Sequence, residues 1–126
     1  MPVERERLPE ERQGLTKRIH LRHAKGDLKV YVQTGTYPDG RLAEVFIKAD
    51  KAGSTISGLL DALSITASLA LQYGVPVETL IEKWSRMIFE PSGTTTDPEM
   101  RQVSSIVDAV AKWLHRRYAK KEDQNA

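Results

Sequence analysis

The chain has 126 residues, of which 40% are hydrophobic and 29% charged, and a formal net charge of +2. That length and apolar content fit one soluble domain able to bury a core, and so small a net charge gives little whole-molecule steering toward nucleic acid. With no cysteine in the sequence, disulfides, thiolate nucleophiles, Cys-ligated metals and thiol redox chemistry are all excluded.

Residues 1–13 are polar and strongly charged, with Leu8-Pro9 as the one apparent anchor, and are expected to form a mobile N-terminal arm. They lack the apolar run of a signal peptide, so a cytoplasmic chain is expected. A single domain is expected over 14–118. Alternation begins at Leu15, Ile19 and Leu21, and Lys25-Gly26-Asp27 marks a turn. Leu28, Val30 and Val32 then alternate with Lys29, Tyr31 and Gln33, the clearest strand pattern. After the turn Tyr37-Pro38-Asp39-Gly40, a third strand carries Ala43, Val45 and Ile47 on one face. Short turns between such strands imply an antiparallel meander.

Helical patterns follow. The segment KAGSTISGLLDALSITASLALQYG spaces Ile56, Leu59, Leu60, Leu63, Ala67, Ala70 and Leu71 at helical intervals and is apolar nearly all round, which predicts a buried central helix. Its Ser, Thr, Gly and Asp residues are read as too frequent for a transmembrane span, and no membrane partner is expected. Ser54 can cap the start, and Gly74 with Pro76 marks the stop. A second helix is predicted from Pro76 toward Met87. Phe89-Glu90-Pro91-Ser92-Gly93 breaks it, and Thr94-Thr95-Thr96 reads as loop. Asp97-Pro98 is expected to open a last amphipathic helix through Val103, Ile106, Val107, Val110, Trp113 and Leu114, with residues 119–126 a frayed tail. The predicted class is therefore α+β: a three-stranded antiparallel sheet packed with about three helices, the central one buried.

Few residues carry an obvious chemical option. Lys51, Gly53 and Ser54 at a helix start could hold an anion, but the longer glycine-rich loop of a P-loop is missing, and capping with a tight turn explains them better. Arg18, Lys29, Tyr31, Phe46 and Lys48 could share an outer sheet face, an aromatic and basic surface of the kind that stacks bases, or simply a cross-strand aromatic pair with solvated lysines or a dimer face. His20, His23 and His115 supply no set of metal ligands, so no metal site is expected. No Ser, His and Asp constellation can be placed. Trp84 and Trp113 lie on helical apolar stripes and read as core. The basic end around Arg116, Arg117 and Lys120 suits a helix C-terminus.

Four stretches, GDLKVYVQTGTYPDGRLAEVFIKADKAGS, the apolar helix, LQYGVPVETL and FEPSGTT, occur in an order that resembles the C-terminal (TSCPD) domain of adenosylcobalamin-dependent, class II ribonucleotide reductases. The motif residues carrying the resemblance are Asp39, Gly40, Glu44, Gln72, Tyr73, Gly74, Phe89, Glu90, Pro91 and Gly93. It implies a role in deoxyribonucleotide synthesis. The family reaction needs a thiyl radical and a reducing cysteine pair, which this chain lacks, so the resemblance implies a free-standing, non-catalytic accessory or regulatory domain, or one piece of a split enzyme. A nucleotide or a reductase subunit would be its partner, or a second copy of itself as a homodimer. Adenosylcobalamin is implied for the parent enzymes only, with no cofactor bound by this chain alone. The alternative is a small nucleic-acid-binding module using the basic, aromatic sheet face.

Overall fold

A computed structural model describes residues 3–50 and 53–119. In chain order the elements are β1 (Thr16–Arg22), β2 (Leu28–Thr36), β3 (Leu42–Ala49), α1 (Thr55–Gln72), α2 (Val77–Trp84), β4 (Gly93–Thr95), β5 (Gln102–Val103) and α3 (Ile106–Tyr118). The strands form a five-stranded antiparallel sheet in the order β3-β2-β1-β4-β5. The expected three-stranded sheet is thereby corrected. β4 and β5 have only three and two residues, too short to show the alternation by which a strand is read from sequence. Residues within the chain cluster into two compact units, Met1–Ile19 with Lys29–Val75 and His20–Leu28 with Pro76–Ala126.

The first unit is built on the β2–β3 hairpin. Its alternating pattern buries Val30, Val32, Val45 and Ile47 on one face, while Tyr31, Gln33, Phe46 and Lys48 occupy the other. The register slips between Gly35 and Thr36, where Thr36 pairs with Leu42, and both Leu42 and Ala43 are buried just beyond the slip. Helix α1 lies along β3. Ser54 caps it, its Oγ accepting from the Ser57 amide at 3.1 Å.

Helix α1 is not buried all round. Leu60, Ser64, Ala67, Ser68, Leu71 and Gln72 are covered, whereas Leu59, Ile65, Leu69 and Tyr73 are 64%, 57%, 38% and 47% exposed. The expected buried helix is thus corrected to one covered on a single side, where three of the six buried positions are polar. Ser64, Ser68 and Gln72 recur every four residues and meet the free backbone edge of β3. The Ile47 amide donates to Ser64 Oγ at 2.9 Å, the Val45 amide donates to Ser68 Oγ at 3.0 Å, and Gln72 Nε2 donates to the Ala43 carbonyl at 3.0 Å. An edge strand must have its open N–H and C=O groups covered or made unattractive to other strands, and here a helix covers them with side chains. By length and composition α1 also suffices to cross a membrane, contrary to the reading of its interruptions. In this fold its polar stripe is committed to β3.

The second unit packs α2 against α3. Apolar spacing in α3 buries Ile106, Val107, Ala109, Val110, Ala111, Trp113 and Leu114, and α2 contributes Ile81 and Trp84, so both tryptophans are core. Trp113 meets Tyr118 edge to face, with ring centroids 6.3 Å apart. Two expected boundaries are corrected. Helix α2 starts at Val77 with Pro76 as its N-cap and stops at Trp84, short of Met87. Asp97-Pro98 opens a turn, not a helix: Asp97 Oδ1 accepts from the Glu99 amide at 2.9 Å and the Asp97 carbonyl accepts from the Met100 amide at 2.9 Å. The helix begins eight residues later than expected, where Ser105 Oγ accepts from the Asp108 amide at 3.0 Å. Both sites carry good capping chemistry, and only the strand at Gln102–Val103 decides between them.

Candidate functional site

Residues 5–13, read from sequence as a mobile arm, make specific bonds across the first unit. The Glu6 amide donates to the Gln72 carbonyl at 2.9 Å, and Arg5 Nε donates to Gln72 Oε1 at 2.7 Å. Arg41 reaches Glu6 through both terminal nitrogens, at 3.1 and 2.9 Å, and its guanidinium stands 4.6 Å from the centre of the Tyr37 ring. Arg41 also bonds Asp39, and these two carboxylates raise its pKa. The bonds from the Arg41 amide and side chain hold the Asp39 carboxyl below the usual range. Asp39 is thus a turn residue, as its Tyr-Pro-Asp-Gly context implied. Burial raises the Tyr37 phenol, whose hydroxyl donates to the Glu6 carbonyl at 2.5 Å.

Arg12 grips Glu44 through Nε at 2.9 Å and Nη2 at 3.1 Å, while its Nη1 donates to the Pro9 carbonyl at 2.7 Å. Glu44 can lie flat across β2 because its partner position is Gly35. A Cβ there would come within 2.1 Å of the carboxylate.

Between this segment, β3 and α1 lies a cavity of about 370 Å³. Arg5, Arg7 and Arg12 line it together with Glu44, and Phe46, Ile65 and Leu69 supply apolar surface. Two motif residues, Glu44 and Gln72, and one sheet-face residue, Phe46, are therefore brought into one place. The arginines were missed in the sequence: an irregular, charged segment has no period from which its contacts can be read.

The other sequence candidates are dispersed. Lys51 lies outside the described residues, and Gly53 and Ser54 form the capped start of α1, with Gly53 at φ +79°. On the outer face, Tyr31 is 45% exposed and sits opposite Lys48 in the β2–β3 register. Lys48 Nζ pairs with Asp61 at 2.9 Å. Lys29 precedes Tyr31 by two residues and so shares its face, and Arg18 is exposed on β1 beside the buried Ile19. Tyr73 and Gly74 end α1, their amides donating to the Leu69 and Leu71 carbonyls.

In the second unit the Phe89 amide donates to the Ser104 carbonyl at 3.2 Å, the Glu90–Pro91 bond is cis, and the Ser92 carbonyl lies 2.7 Å from His23 Nδ1. His20 Nε2 lies 2.8 Å from Asp27, whose pKa is lowered by that bond and by the His23 amide. Gly93 runs so close to β1 that a Cβ would sit 2.1 Å from the Arg22 carbonyl oxygen. The FEPSG motif is thus a backbone junction. Arg116 bridges Asp97 and Glu99, which raise its pKa, so part of the basic end of α3 is internally neutralised. Lys120 and the expected frayed tail from Lys120 onward lie outside the described residues. Among the described residues no group of three or more His, Asp or Glu could hold a metal ion.

The motif residues therefore occupy the positions that shape the fold: a turn, a helix end, an edge cap and a strand junction. The family pattern of the TSCPD domain matches residues 4–118. The chain belongs to the TSCPD domain family. It is 46% identical over 110 residues to the vitamin B12-dependent ribonucleotide reductase of Streptantibioticus cattleyicolor, covering 87% of this chain and 18% of that protein. The corresponding protein of Rhodopirellula baltica is 44% identical, covering 87% of this chain and 10% of its own length. That of Agrobacterium fabrum is 37% identical over 121 residues, covering 95% and 9%. This TSCPD domain thus spans between about a tenth and a fifth of the curated relatives it matches. No solved structure matches it.

Proposed function

We propose that this TSCPD domain serves deoxyribonucleotide synthesis as a non-catalytic module that associates with a vitamin B12-dependent ribonucleotide reductase. The observation that carries this reading is the apolar face of α1, where Leu59, Ile65, Leu69 and Tyr73 are left exposed along one side of a helix whose other side is satisfied by β3. Apolar residues aligned in this way mark a surface that another protein covers. The relatives named as reductases carry the matching segment within much longer chains, which supports a reductase as the partner. The absence of cysteine supports a role other than radical chemistry. Adenosylcobalamin would stay with that partner, since His20 Nε2 is engaged by Asp27 and His23 Nε2 is buried away from the surface. The setting would be cytoplasmic. The outer sheet face supports nucleic-acid binding less well, because Lys48 is tied to Asp61 and Glu44 shares that face.

The test mixes the purified chain with a purified vitamin B12-dependent ribonucleotide reductase and measures association by analytical ultracentrifugation. A complex is expected, weakened at least about tenfold (1.4 kcal/mol) by Leu59→Glu with Tyr73→Glu. No complex at tens of micromolar, or a homodimer that buries this face and excludes the reductase, overturns the proposal.

A further inference from the structure

We infer that the cavity between residues 5–12, β3 and α1 binds a small phosphate monoester with an aromatic body. This inference goes beyond the proposed association, with which it shares Ile65 and Leu69, and concerns the chain free of that partner. The cavity, about 370 Å³, falls in the range of roughly 300–1,000 Å³ typical of small-molecule sites.

Its charge is unbalanced. Three guanidinium groups, from Arg5, Arg7 and Arg12, face one carboxylate, Glu44. Arg12 and Glu44 cancel one another through two bonds, and the remaining Arg12 nitrogen is held by the Pro9 carbonyl. Two positive charges are left over, those of Arg5 and Arg7.

Arg5 is held in place by its Nε bond to Gln72 Oε1 at 2.7 Å, which leaves its terminal nitrogens without a partner among the described residues. Arg7 makes no hydrogen bond or ion pair among the described residues, yet it stands at the same cavity. Guanidinium forks two residues apart match the planar, bidentate recognition of phosphate, and two uncompensated charges suit a dianion better than a single carboxylate.

The apolar wall selects the rest of the ligand. Phe46 is half-buried and, with Ile65 and Leu69, offers a surface against which an aromatic ring can lie. Inorganic phosphate would use the arginines and leave that wall wet. A ligand with both parts satisfies both.

The experiment titrates the full chain with AMP and, separately, with inorganic phosphate, by isothermal calorimetry at low salt, where such contacts are least screened. AMP is expected to bind at least about tenfold tighter than phosphate, a difference of 1.4 kcal/mol. Arg7→Glu should abolish AMP binding without shifting Tm, since Arg7 supports no other contact. Phe46→Leu should weaken AMP and leave phosphate unchanged, whereas Lys29→Ala, on the outer face, should change neither. The inference is overturned by the absence of any AMP heat into the millimolar range, by equal affinity for phosphate, or by loss of binding in Lys29→Ala with Arg7→Glu unaffected.

Discussion

Ser68 Oγ lies 3.0 Å from the Val45 amide nitrogen and 3.1 Å from the Val45 carbonyl oxygen, accepting from the first and donating to the second. One hydroxyl thus answers both open backbone groups of a β3 residue. Ser64, one turn earlier, accepts from Ile47 and donates to the Leu60 carbonyl at 2.7 Å. Together they make α1 the cover of a sheet edge.

Ser68→Ala should cost about 1–3 kcal/mol, because a buried donor and a buried acceptor lose their partner with no water to replace it. Ser64→Ala should cost less than Ser68→Ala, since it strands one group of β3, the Ile47 amide, and frees the Leu60 carbonyl. The double variant should also associate through the uncovered edge. Urea denaturation gives the first effect, and concentration-dependent light scattering the second. A pair of stable, non-associating variants would contradict edge covering.

Asp108 places a carboxylate in the second unit with only 2% of its side chain exposed. Burial raises its pKa, but bonds from Lys112 Nζ and from the Ser104 and Arg86 amides outweigh that, and the folded value lies below the ordinary 3.8. A carboxyl with a depressed folded pKa adds stability that is fully present above its unfolded pKa and lost as pH falls through the folded one. Acid unfolding should therefore steepen below about pH 4. Asp108→Ala should cost about 1–3 kcal/mol, because the Ser104 and Arg86 amides lose their acceptor, and should flatten this acid limb. Equilibrium unfolding at several pH values between neutrality and acid checks both.

Arg86 has φ +63°, a left-handed conformation unusual for a side chain with a Cβ, and its amide is fixed by Asp108 Oδ1 at 2.8 Å. Arg86→Gly should stay within about 1 kcal/mol of the parent, since relief of strain is offset by the greater freedom of glycine in the unfolded chain. Arg86→Val should destabilise by more, as a β-branched residue fits this conformation worst. Gly93→Ala should also destabilise, because its Cβ would collide with the Arg22 carbonyl 2.1 Å away beside the β1–β4 pairing. Thermal denaturation of the three variants ranks them.

Much of the fold was legible in the chain because its long elements carry clean periods. Val30, Val32, Val45 and Ile47 alternate, and Ile106, Val107, Val110, Trp113 and Leu114 recur at helical spacing. Ser54 also reads correctly as a cap. The site was less legible. Glu44 and Gln72 drew notice through the family motif, but nothing in their neighbourhoods points to Arg5 or Arg12, whose positions are set by long-range bonds spanning 67 and 32 residues.

By itself the sequence determined the three long strands, the cysteine-free chemistry and the family, because these rest on local periodicity, composition and ordered motifs. Only the tertiary structure decided that β4 and β5 complete the sheet, that Asp97 makes a turn, and that the polar residues of α1 face inward while Leu59, Ile65 and Leu69 face out. The reason is the open backbone edge of β3. Each backbone group of β3 left unpaired under the helix would cost about 1–3 kcal/mol, comparable with what burying one leucine-sized side chain gains, so the face that turns inward depends on which strand lies beside the helix. It turns the apolar helix of the sequence into an edge cover with an apolar outer face.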